Sequence, residues 1–127
     1  MIFSVLEGQT IKSIEGLEVG SDYVSIETQE GNKYTMTYYP DYCCVSCDIA
    51  DVVGDVEDLI GQKIEVAEER SEEATKNNCD DKYLLSGTWT FYELRTIKGS
   101  VTIRWLGTSN GYYSESASFH EAGKRWN

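Results

Sequence analysis

Alternation of apolar and polar side chains predicts a domain built mostly of short antiparallel strands. Residues 23–29 and 33–39 alternate on either side of a glycine-containing turn, which predicts a hairpin. Residues 87–97 and 101–106 are rich in β-branched and aromatic side chains and flank a second such turn. Further strands are predicted at residues 3–6, 10–14, 49–53 and 63–67, and at 113–119 after the turn signal Asn110-Gly111.

One short helix is predicted between Gly54 and Gly61. Asp55 is a suitable N-cap, and the apolar positions that follow recur at helical spacing. Residues 68–81 are polar and charged and are predicted to form a long loop. A chain of 127 residues has the usual length of one domain, so residues 1–127 are expected to form a single α+β domain, mostly antiparallel sheet with one short helix.

Three of the four cysteines lie within five residues of each other, and this cluster is the strongest chemical signal in the chain. Cys44 and Cys47 form a C-x-x-C pair, a spacing that presents two thiolates to one point. Cys43 and Cys79 are the obvious further ligands for a tetrahedral zinc, and His120 is a possible substitute for one of them. A lone cysteine in a hydrophilic loop, such as Cys79, is hard to explain by core burial. The sequence therefore predicts a domain stabilised by structural zinc.

Other interpretations of the cysteines remain open. They could be buried thiols that act as small hydrophobic residues, two disulfides of undetermined connectivity, or a redox pair. The redox interpretation expects a strand followed by a helix, whereas a strand is predicted after Cys47. Residues 1–4 carry no basic flank and begin no apolar run of signal length, and no apolar stretch is long enough to span a membrane. A cytosolic location, where disulfides are rare, is therefore expected.

The net charge of −11 is concentrated around the cysteines. Residues 41–81 contain thirteen acidic and three basic side chains, whereas residues 82–127 carry a net positive charge. A protein with this charge is repelled by nucleic acid and attracted to basic surfaces, although the charge could also serve solubility alone. The candidate partner-binding residues are Asp55, Glu57, Asp58, Glu68 and Glu69.

Catalysis is not expected. The chain has one histidine and no phosphate-cradling glycine loop, and its acidic residues match no metal loop or two-carboxylate template. A formal G-x-S-x-G match at residues 107–111 lies where two strands are predicted to join, and not in the strand-turn-helix context that a nucleophile elbow needs.

Several segments resemble a small domain family of unknown function carried by phages and prophages. They are Cys43-Cys44, the stretch from Gly54 to Gly61, Trp89-Thr90-Phe91-Tyr92, the run from Lys98 to Trp105, and Asn110-Gly111-Tyr112-Tyr113-Ser114-Glu115-Ser116. Members often carry a histidine four residues before the Cys-Cys pair, where this chain has Tyr39. Cys47 and Cys79 could supply the missing ligand.

The resemblance implies a phage or prophage origin. A small acidic phage protein without catalytic residues is similar in type to anti-CRISPR proteins of type II systems, whose target nucleases hold nucleic acid in basic channels. The expected function is inhibition of a host CRISPR effector nuclease in the bacterial cytoplasm by blocking target-DNA loading, without direct binding to nucleic acid. Alternatives are an accessory protein that binds another basic host defence or DNA-processing protein, and a virion or assembly component.

Overall fold

Two four-stranded antiparallel sheets share one hydrophobic core in the computed structural model, which describes residues 3–37, 46–75, 86–109 and 117–121. The first sheet has the order β1-β2-β3-β8 and the second the order β4-β7-β6-β5. The strands are β1 Ile11–Glu15, β2 Tyr23–Thr28, β3 Lys33–Thr37, β4 Ser46–Val53, β5 Val66–Glu73, β6 Ser86–Thr96, β7 Gly99–Ser109 and β8 Ser118–Glu121. The mostly antiparallel architecture expected from the sequence is confirmed.

The two predicted hairpins form because each has one continuous apolar face. In β2 and β3, Val24 pairs with Met36, and both side chains are fully buried. In the second sheet, β6 and β7 pair without interruption from Ser86 opposite Ser109 to Thr96 opposite Gly99. Every second residue of β7 from Val101 to Trp105 is buried, as alternation predicts.

Residues 3–6 form a 3-10 helix, η1 (Phe3–Leu6), so the strand predicted there is wrong. Phe3 and Leu6 are buried whereas Ser4 and Val5 are exposed. That spacing of three suits one turn of 3-10 helix, in which positions i and i+3 lie on one side. A strand would instead have placed Phe3 and Val5 on the same face.

The predicted helix is one turn of 3-10 helix, η2 (Val56–Asp58), and no α-helix occurs among the described residues. The predicted cap is present, because Asp55 Oδ1 accepts a hydrogen bond of 3.0 Å from Glu57 N–H. Gly54 and Gly61 both have positive φ and bracket a segment too short to build a ladder of i to i−4 bonds. The α+β class is therefore corrected to an all-β architecture for the described chain.

Strand β5 corrects the assignment of residues 63–73, and the remainder of the predicted loop from residue 76 onward lies outside the described residues. A strand was predicted at 63–67 and a loop from residue 68 onward, but β5 spans Val66–Glu73 and pairs along its whole length with β6. Ala67 is its one buried residue, and the six residues after it are exposed. Because an edge strand with a solvated face need not alternate, its acidic sequence resembled a loop. The acidic residues 68–73 consequently have fixed backbone positions.

Candidate partner-binding surface

The five predicted partner-binding residues lie at two separate places. Asp55, Glu57 and Asp58 form or flank η2. Glu68 and Glu69 lie on β5, where they are neighbours in sequence but point to opposite faces of the strand. The predicted partner-binding residues are thus divided between a 3-10 turn and the edge of the second sheet.

Asp55 and Asp58 serve the local structure of η2. The Asp55 carboxylate caps the turn, as described above. The carbonyl oxygen of Asp58 accepts a hydrogen bond of 2.7 Å from the Thr96 hydroxyl, which fixes η2 to the turn between β6 and β7. The Asp58 carboxylate also lies close to Gly99 at the start of β7. Only Glu57 of the three is exposed without such a role.

Glu68 projects from β5 on the same face as Arg70 and Glu72, by the two-residue period of a strand. It stands directly opposite Glu93 of β6, a pairing of like charges that disfavours close approach. Glu93 lies 3.6 Å from the Arg95 guanidinium, whereas Glu68 has no ion pair within the described part of the chain. The Glu68 carboxylate is therefore available to a partner's cation.

Arg70, the one cation of β5, lies over an aromatic ring. Its guanidinium carbon is 5.0 Å from the centroid of Phe91 on β6. Arg104 of β7 behaves similarly, 4.7 Å from the centroid of Trp89 and 3.2 Å from Asp51 Oδ2. Cation–π contacts of this kind hold both arginines against the outer face of the sheet. The four glutamates of β5 thus dominate the charge of its edge.

Glu69 points toward the core side of β5 and meets Tyr92, the residue opposite it. Burial raises the pKa of Tyr92 well above its usual range, and the Glu69 carboxylate and Cys47 add to this effect. Partial burial also raises the pKa of Glu69, while the charge of the N-terminal amino group and the hydrogen bond from Tyr92 act in the opposite direction. The phenol stays protonated and donates a hydrogen bond of 3.2 Å to the Ala117 carbonyl oxygen. Sequence reasoning missed this cluster, although Tyr92 occupies an inward position of the predicted strand.

A groove of about 580 Å³ runs beside β5. Phe3, Ala67 and Phe91 contribute apolar surface to its lining, and Glu68 and Glu93 contribute carboxylates. Its lining comes from η1, from both faces of β5 and from β6, so the groove lies along β5. An edge strand with an adjoining groove is a geometry suited to binding an extended chain.

Of the four predicted zinc ligands, only Cys47 lies in the described chain. It belongs to β4, opposite Gly107, and its side chain is buried within the shared core. Cys43, Cys44 and Cys79 lie outside the described residues, as does the predicted Asn110-Gly111 turn. Within residues 3–37, 46–75, 86–109 and 117–121, no three side chains of suitable type form a metal-binding group. His120, the substitute ligand, lies on β8 in the other sheet, where burial lowers its pKa to about 4.

These features define an all-β domain of two antiparallel sheets with an acidic edge strand. The chain belongs to a family described as a domain of unknown function, DUF7448, which matches residues 5–119. No curated protein and no solved structure matches the chain. Across the described ranges, no helix is long and apolar enough to cross a membrane.

Proposed function

We propose that this chain is a non-catalytic binding domain that recognises a basic protein surface. The observation that carries the proposal is β5, whose four glutamates and one arginine give an eight-residue edge strand a formal charge of −3. Pairing with β6 fixes the backbone of this strand, so its glutamates project from fixed positions before a partner arrives. A preorganised surface loses less conformational entropy on binding than a flexible acidic loop would.

The proposed partner is a type II CRISPR effector nuclease, and the proposed location is the cytoplasm of a bacterial host. The sequence resemblance to a phage-borne family and the acidic character of the chain support this choice. Such nucleases hold guide and target in a positively charged channel, and an acidic domain bound there would exclude target DNA. Electrostatic attraction would also accelerate the encounter of the two proteins. A structural zinc bound by Cys43, Cys44, Cys47 and Cys79 remains part of this proposal.

The geometry favours β5 over η2 as the contact region. The Asp55 carboxylate caps η2, so its substitution would disturb the fold as well as the charge. Glu68 and Glu72 are exposed and project from the same face of β5. We therefore assign the main partner contact to the β5 glutamates.

Charge reversal on β5 tests the proposal. The double variant Glu68→Lys/Glu72→Lys should weaken nuclease inhibition and binding by at least about tenfold, and binding of the unmodified protein should weaken as salt increases. The matched control carries Glu15→Lys together with Glu18→Lys, since both of these glutamates are exposed, neither is a candidate contact, and the change in net charge is equal. Equal losses in both double variants would show that net charge alone matters, and unchanged inhibition would rule out β5 as the contact. If the chain binds no such nuclease but binds other basic host proteins through β5, the partner is instead another basic host defence or DNA-processing protein.

A further inference from the structure

The hydrogen-bond register of β5 shows which of its backbone groups face away from the sheet. In an antiparallel pair, residues alternate between those bonded to the neighbouring strand and those whose N–H and C=O point outward. Ala74 N–H, immediately after β5, donates to the Gly87 carbonyl oxygen at 2.9 Å, so the even-numbered residues of β5 face β6. The outward groups therefore belong to the odd-numbered residues, among them Ala67, Glu69 and Ser71.

The first outward position is already occupied by a side chain. Ala67 N–H donates to Glu7 Oε2 at 3.1 Å, which agrees with its outward direction and closes this end of the edge. Beyond it, no described residue forms a backbone hydrogen bond with the outward groups of Glu69 and Ser71. Strand β4, at the opposite side of the same sheet, differs because Ile49 exchanges two hydrogen bonds of 2.8 Å with Gly20 and Ser21. Among the described residues, the unpaired stretch of this edge therefore begins at Glu69.

Charge complementarity identifies the occupant that fits this edge. A second copy of β5 would bring glutamates against glutamates, and like charges on neighbouring strands are destabilising. A basic segment would instead place lysines or arginines beside Glu68 on one face and Glu69 on the other. The groove beside β5, whose lining includes the half-buried Phe91, offers space for one of its side chains. Acidic side chains on an edge also prevent self-association. If that were their only role, the edge would not bind a basic peptide through its backbone.

We propose that the edge of β5 binds an extended basic peptide segment, which adds to the second sheet as a further strand. The inference rests on the proposed function, because it assigns the contact with a basic protein partner to an extended segment and not to a folded convex surface. Backbone hydrogen bonds to Glu69 and Ser71 would fix the register of the bound peptide against β5. The carboxylates on both faces would select lysine or arginine at successive positions.

Synthetic eight-residue peptides provide the test. The probe is a capped peptide that alternates Lys with Val and Thr, titrated into the full chain and followed by amide chemical shifts and hydrogen exchange. We expect salt-sensitive binding that protects the Ser71 amide. A peptide N-methylated along one edge keeps its charge but cannot pair through that edge, so one of the two N-methylated isomers should lose about tenfold or more in affinity. Equal binding of the parent and both isomers would overturn the inference, because simple charge attraction would then explain it.

Ser71 offers a matched pair of variants. Ser71→Pro removes an outward N–H without removing a bond to β6, and proline is tolerated on edge strands. It should abolish peptide binding, whereas Ser71→Ala should retain it. If Ser71→Pro does not fold, the N-methylated isomers alone decide. If folded Ser71→Pro inhibits the nuclease as well as the unmodified protein does, strand addition is wrong while the proposed function stands. If the peptide pairs with β5 but no nuclease is inhibited, the proposed partner is wrong and strand addition stands.

Discussion

Phe3 packs edge-on against Phe119, with ring centroids 5.0 Å apart and an angle of 89° between the ring planes. Phe119 belongs to the first sheet, and Phe3 also lies 4.7 Å from the ring of Tyr92 in the second sheet. One aromatic side chain from η1 therefore contacts both sheets. Edge-to-face ring pairs contribute stability beyond the area that they bury.

Truncation of Phe3 should destabilise the fold strongly. Phe3→Ala removes a 1% exposed ring and leaves a cavity between the sheets, so we expect the free energy of unfolding to fall by about 3–5 kcal/mol in a urea titration. Val5→Ala in the same 3-10 helix is the control, because Val5 is 42% exposed and should change the value by about 0.5 kcal/mol or less. Similar values for the two variants would mean that Phe3 does not connect the sheets energetically.

The hairpins could be predicted because one face of each strand is buried. In β7, burial of Val101, Ile103 and Trp105 imposes the two-residue period that the sequence displays. β5 lacks that constraint, since only Ala67 is buried, and its pairing partner lies about twenty residues further along the chain. A pairing between residues so far apart leaves no pattern in the local sequence, which therefore resembles a loop.

The candidate site could be predicted only in part, because composition identifies charged residues but not the contacts that they make. Acidic composition selected Glu68, which is exposed on the edge strand, and its contact with a partner stays a prediction. Composition could not separate it from Asp55 and Asp58, whose roles in holding η2 depend on cap geometry and on a hydrogen bond to Thr96. The link between Glu69 and Tyr92 likewise depends on strand register.

Gly54 should tolerate no side chain. Its φ is +115°, and an added Cβ would collide with the Ser100 backbone carbonyl at the start of β7. Gly54→Ala should therefore lower the free energy of unfolding by more than about 2 kcal/mol, measured by chemical denaturation. Gly61→Ala is the matched control: its φ is +76°, but no atom lies near the added Cβ, so only the backbone cost of about 1 kcal/mol applies. Equal losses would show that the contact with Ser100 relaxes without cost.

The zinc prediction can be tested by elemental analysis of protein purified without chelator. We expect one zinc per chain, lost in both Cys44→Ser and Cys79→Ser, because a tetrahedral structural site needs all four ligands. His120→Gln should retain the metal if the four cysteines form the complete set. Absence of zinc from the unmodified protein would leave Cys47 as a buried core thiol and remove zinc from the proposed function.

The stability of the domain should depend on the protonation of His120. Burial lowers its pKa to about 4 in the folded chain, from an ordinary value of 6.5, so between these values the unfolded chain binds the proton more readily. The stabilising contribution of the neutral imidazole is therefore present above about pH 6.5 and is lost as pH falls toward about 4. The raised pKa values of Asp48 and Glu69 act with the opposite sign, because the folded chain binds those protons first.

Comparison with the variant His120→Gln separates the contribution of His120 to the unfolding free energy from those of Asp48 and Glu69. As pH falls from about 7 to about 4.5, the unfolding free energy of the unmodified chain should decrease steadily relative to that of His120→Gln in urea titrations. The Asp48 and Glu69 contributions are common to both proteins and cancel. A difference that stays constant over this range would mean that His120 titrates alike in the folded and unfolded chains, and that its environment on β8 does not oppose the charged imidazolium.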